Sequence, residues 1–173
     1  MLDFVAKLGG EMFHILNRDY QNESDAGNCF NNVKRHVLMN GGDILTGWSV
    51  RFWPRVFFEA EQHAVWHNPD GDLFDVTPHA QGEKLTCFVI DKAVVFSEHG
   101  LATEVNRYMP VAYGKRLKLV RDLIEVAQAR QRYQLEHTMV TDGLVTFHGN
   151  DWLLEKYREK MAELALQISK KIK

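Results

Sequence analysis

The period of the apolar positions changes along the chain, and each period predicts an element. Over residues 29–39, Phe30, Val33, Val37 and Leu38 recur at helical spacing, and Asn40-Gly41-Gly42 supplies a stop. Residues 44–52 and 56–66 are rich in β-formers and are separated at Pro54. Asn68-Pro69-Asp70-Gly71 is a strong turn signal, so the next strand, ended by Pro78, pairs antiparallel with residues 56–66. Residues 84–96 supply more strand, with Asp91-Lys92 as a tight turn. A long amphipathic helix is predicted over 113–137, followed by a short strand or hairpin over 140–147 around Thr141-Asp142-Gly143. Asn150 or Asp151 caps a last helix whose stripe is Leu154, Tyr157, Met161, Leu164 and Ile168. The first 18 residues read as weakly helical, broken at Gly9-Gly10, and residues 17–28 as a polar loop. The pattern predicts an α+β fold, with residues 1–149 as one domain. Residues 150–173 form a helix that packs on that domain or mediates association between copies.

Composition narrows the classes. A chain of 173 residues, 45% hydrophobic and 25% charged, can bury a core of its own. A net charge of −2 gives no push toward nucleic acid or anionic membrane. The basic runs Lys115-Arg116-Leu117-Lys118 and Lys170-Lys171-Ile172-Lys173 read as solvated helix faces and a frayed end. No secretory signal and no apolar run near the roughly 20 residues of a membrane span are visible. A cytoplasmic location with reduced Cys29 and Cys87 is therefore expected.

Candidate chemistry centres on Cys29. It stands in Asp25-Ala26-Gly27-Asn28-Cys29, where a loop becomes a helix, and a helix N-terminus favours a thiolate. His63 follows in a strand, and Asp75 in the next strand across the turn. A turn centred between Pro69 and Asp70 sets position 76 opposite His63, one residue from Asp75. Opposed residues on one sheet face have Cβ atoms roughly 4.5–5.5 Å apart, close enough for a carboxylate to hold an imidazole. Nucleophile, base and orienting acid in this order are the parts of a cysteine-dependent acyl transfer. Asp75 lies between Phe74 and Val76 and so needs a partner, for which His63 is the natural choice. Glu59 and Glu61 share the His63 face, and at least one is expected to be solvated. Cys87, in an apolar strand, reads as core, and His67 and His79 as exposed residues at strand ends. His63, His67, His79, Cys29 and Cys87 lack the tight pairs of a zinc site, so no metal is expected. Neither a phosphate-binding glycine loop nor a Gly-x-Ser-x-Gly elbow occurs, so no cofactor and no serine nucleophile are expected.

The segments Gly27-Asn28-Cys29, Glu61-Gln62-His63-Ala64-Val65-Trp66 and Asp72-Leu73-Phe74-Asp75-Val76-Thr77-Pro78 resemble the transglutaminase-like branch of the papain-like superfamily. Phe30 stands where that branch often carries tryptophan. The resemblance covers roughly residues 25–80. It implies a helix carrying Cys29 packed on an antiparallel sheet carrying His63 and Asp75. It also implies a hydrolase acting on an amide bond of a peptide, protein or small amide, through an acyl-enzyme. A transglutaminase or acyltransferase would use the same triad. The oxyanion would be held by the Cys29 N–H and a second donor from Gln21, Asn28 or Trp48. The rival reading is a non-catalytic binding or assembly protein on the same scaffold, using Trp48, Trp53, Trp66 and the last helix.

Overall fold

The computed structural model describes residues 1–10, 13–19, 24–79, 82–142 and 144–171. In chain order the elements are α1 (Leu2–Lys7), β1 (His14–Asn17), α2 (Cys29–Asn40), β2 (Asp43–Trp53), β3 (Phe57–His67), β4 (Leu73–Phe74), β5 (Leu85–Ile90), β6 (Arg107–Pro110), α3 (Lys115–His137), β7 (Thr138–Thr141), β8 (Leu144–Phe147) and α4 (Asp151–Lys170). One sheet has the order β1-β5-β2-β3-β4, with β6 pairing β3, and β7–β8 forms a separate hairpin. The pairs β1–β5, β2–β5 and β3–β4 are antiparallel. The described chain is thus mixed α and β, with an antiparallel sheet and four helices. Among the described residues, no helix is long and apolar enough to cross a membrane.

The chain divides into two compact units, the first Met1–Arg51 with Ala60–Thr103. Here α2 starts at Cys29 and stops where Gly41 and Gly42 take positive φ (74° and 85°). Any side chain on Gly42 would stand 2.2 Å from the His67 carbonyl, so only glycine lets the helix end meet the end of β3. Trp66 Nε1 closes the same junction by donating to the Gly41 carbonyl at 2.9 Å. Cys29 and Val33 on α2 pack with Ala64 and Val76, while Leu16, Val65 and Phe88 form a second cluster. Both faces of β3 are therefore buried over Gln62 to Val65.

Three expectations are corrected in this unit. The first 18 residues are not one broken helix: α1 ends at Lys7, and His14–Asn17 is strand β1 on β5. Leu16 is buried and Ile15 exposed, an alternation too short to read as a period. Residues 84–96 turn at Asp91 as expected, with Asp91 Oδ1 accepting from the Ala93 N–H, but only Leu85–Ile90 is strand and the arm beyond the turn is not. Finally, β4 ends at Phe74, so Asp75 lies past the strand. The pairs Trp66↔Phe74 and His67↔Leu73, extended, would set position 77 rather than 76 opposite His63. Asp75 instead bridges in parallel to Arg18, its N–H donating to the Asn17 carbonyl at 3.2 Å.

The second unit is Phe52–Glu59 with Glu104–Lys173. Val56, Ala112, Val120, Leu123, Leu164 and Ile168 are its buried centre, so the apolar stripes of α3 and α4 face one another. Asn150 caps α4 by accepting from the Trp152 N–H at 2.9 Å.

Candidate functional site

The loop before α2 is fixed by one buried amide. Asn32 Oδ1 accepts from the Asp25 N–H at 3.1 Å, and its Nδ2 donates to the Asp25 carbonyl at 2.8 Å. That pair of hydrogen bonds sets Asn28 and Cys29 at the start of the helix. The Cys29 side chain is buried in a cleft of about 280 Å³ that Asn28, Ser49, Gln62, His63 and Thr77 also line. All of these residues belong to the first unit.

His63 and Asp75 are both buried, the His63 side chain 10% exposed and the Asp75 side chain not at all. His63 Nε2 lies 3.0 Å from Asp75 Oδ2. The contact has the distance of an ion pair but not the alignment of a hydrogen bond, and Nε2 has no other partner. Burial is the largest single influence on the imidazole and disfavours its charge. The Cys29 sulfur and the Asp75 carboxylate oppose burial, chiefly through charge, and together push His63 up to about 10. The sequence-predicted Cys29, His63 and Asp75 are thus brought together.

Asp75 has more partners than the sequence suggested. Arg18 Nη1 lies 2.8 Å from Oδ2, with the arginine side chain 5% exposed. Thr86 Oγ1 donates to the same oxygen, and the Thr77 N–H donates to Oδ1 at 3.0 Å. Arg18 Nη1 also donates to the Thr77 carbonyl at 2.7 Å, which ties β1 to the segment after Asp75. Burial would raise the Asp75 pKa. The His63 charge beside it, the Thr86 hydroxyl and the Arg18 charge together hold it below the usual carboxylate value. The cluster Cys29, His63, Asp75 and Arg18 balances two potential anions against two cations, the condition under which buried charge is tolerated.

The remaining sequence-predicted residues fall as follows. Gln21 lies outside the described residues. Trp48 is fully buried, and its Nε1 donates to Asp91 Oδ2 at 3.0 Å, so that donor is committed away from the cleft. Trp66 stacks edge-on against His36 at 4.3 Å, and Trp53 packs into the core of the second unit. His79 corrects the expectation of an exposed strand end. Its side chain is 15% exposed, lines the cleft and lies 3.7 Å from Glu83. Glu61 pairs with Arg51 at the cleft wall, and Glu59 accepts from Asn106 Nδ2 at 2.7 Å and from the Tyr108 hydroxyl at 2.8 Å. Cys29 and Cys87 are both free thiols, and burial pushes the Cys87 thiol up. Among the described residues, no group of three or more His, Cys, Asp or Glu side chains is placed to hold a metal ion.

Arg18, Asn32 and Thr86 are the site residues that sequence reasoning missed. Arg18 and Thr86 reach Asp75 from β-segments distant in the chain, and Asn32 looks like any polar helix residue. Comparison with known proteins finds no family model, no curated relative and no solved structure that matches this chain.

Proposed function

We propose that the protein is a cysteine-dependent hydrolase of an amide bond, built on a papain-like or transglutaminase-like core. What supports the reading is a single observation: a buried thiol on the first turn of a helix interacts with a buried histidine whose Nε2 lies 3.0 Å from a buried aspartate, the thiol and the histidine lining one cleft. In this reading the resting pair is Cys29 thiolate and His63 imidazolium. Sγ attacks the carbonyl carbon, and the developing oxyanion is held by backbone N–H groups at the start of α2. As the C–N bond breaks, His63 gives its proton to the departing nitrogen. The neutral imidazole then takes a proton from water as it attacks the thioester. Departure of Sγ releases the acid and restores the ion pair. Asp75 keeps Nε2 protonated throughout and stabilises the imidazolium. An amine in place of water would give acyl transfer through the same steps.

The test is acyl-enzyme capture. On incubation with small thioesters and activated amides, intact-mass analysis should show one acyl group on Cys29, released by hydroxylamine and lacking in Cys29→Ala. Equal acylation of Cys29→Ala, or acylation only at other residues, overturns the proposal. Release faster to amines than to water would select the transferase.

A further inference from the structure

We propose that Asn28 Nδ2 is the side-chain oxyanion donor of this cleft and that Asn31 is the positioning residue that aims it; the inference rests on the reading of Cys29 as an acyl-transfer nucleophile. Asparagine before a helix ordinarily accepts from an N–H of the first turn. Asn28 stands at that position and makes no such bond. Its Oδ1 instead accepts from Asn31 Nδ2 at 2.8 Å. Asn31 Nδ2 also donates to the His99 carbonyl at 3.0 Å.

The second contact fixes the direction of the whole relay. A backbone carbonyl only accepts, so the Asn31 atom facing it is the amide nitrogen. The Asn28 atom facing that same nitrogen is then an oxygen. With Oδ1 held this way, the part of the Asn28 amide left over is a pure donor, on a residue that lines the cleft beside Cys29. The withheld cap has a second effect. The Asn28 side chain does not cover the N–H groups of the first turn of α2, which leaves them uncapped by that residue beside the sulfur.

The loop that anchors Asn31 is itself built closely around it. Ser97, Gly100 and Leu101 form a tight turn, with Gly100 N–H to the Ser97 carbonyl at 2.9 Å and Leu101 N–H to Ser97 Oγ at 3.0 Å. Gly100 has φ +78°, and a Cβ there would stand 2.7 Å from the Asn31 amide. Two other donors are engaged elsewhere. Trp48 Nε1 is held by Asp91, and Gln62 Nε2 faces the Val95 carbonyl at 3.5 Å and Thr103 Oγ1 at 3.4 Å.

The experiment compares two reactions at one sulfur. Acylation by p-nitrophenyl acetate passes through a tetrahedral oxyanion, whereas alkylation by iodoacetamide displaces iodide at a saturated carbon and forms none. In Asn28→Ala, acylation should fall relative to alkylation by about 10²–10³-fold. Asn31→Ala should show a smaller loss of the same selectivity. Asn28→Asp separates this role from a structural one. Aspartate keeps an oxygen to accept from Asn31 Nδ2, so a structural role would be rescued, whereas a carboxylate facing the oxyanion should make acylation slower still. An unchanged acylation-to-alkylation ratio in Asn28→Ala, or wild-type behaviour of Asn28→Asp, overturns the assignment. A wild-type chain in which neither reagent reacts at Cys29 overturns the nucleophile reading and this proposal with it.

Discussion

Arg18→Met removes one of the two cations that face Asp75 while keeping an unbranched side chain in place. Arg18 is 5% exposed and Asp75 fully buried, so solvent screens their 2.8 Å contact little. Removing one partner of a buried pair costs about 3–5 kcal/mol, because the remaining charge stays desolvated. Two bonds of Arg18 Nη1 are lost here, the one to Asp75 and the 2.7 Å one to the Thr77 carbonyl. Asp75 keeps His63, Thr86 and the Thr77 N–H, which places the expected loss near the lower end, about 3 kcal/mol. With a urea slope of about 2 kcal/mol/M, the midpoint of unfolding by tryptophan fluorescence should fall by about 1.5 M. Adding Asp75→Asn should recover part of the loss, since the orphaned charge is then gone. A drop below about 1 kcal/mol, or strict additivity of the two changes, would show that His63 alone compensates Asp75 and refute the balanced cluster.

The His63 ring should titrate near 10 by NMR, and Cys29→Ala should lower that value, because one of its two anionic partners is gone. The pKa is raised on folding from 6.5, so the stability that His63 contributes is complete below about pH 6.5 and is lost as pH rises through about 10. The stability difference between wild type and His63→Gln, followed by urea unfolding across that range, should shrink with rising pH; a growing difference reverses the sign and contradicts the assignment. Asn150→Ala removes the only side-chain cap bond recorded at a described helix N-terminus and should destabilise α4 by about 1 kcal/mol, measured by thermal unfolding.

The helix at Cys29, its glycine stop, the turn after Trp66 and the capped last helix were legible because each carries local chemistry: an N-terminal polar cluster, Gly41-Gly42, Asn-Pro-Asp-Gly and Asn150. The order Cys29, His63, Asp75 was legible as well. The geometry joining the last two was not, because it does not come from the hairpin. β4 stops at Phe74, and the Asp75 backbone turns to β1, whose four residues are too few to announce a strand. That detour brings Arg18 onto the carboxylate, and β5 adds Thr86. No periodicity reports a contact made by the residue just beyond a strand. His79 was misplaced for a similar reason: whether a loop histidine faces solvent or a cleft depends on how the chain returns past it.

The rate of Cys29 alkylation by iodoacetamide from about pH 5 to about pH 10, in wild type and His63→Ala, tests the thiolate–imidazolium pair most directly. The account predicts a fast reaction in wild type that His63→Ala slows. A slow reaction that His63→Ala leaves unchanged would contradict it.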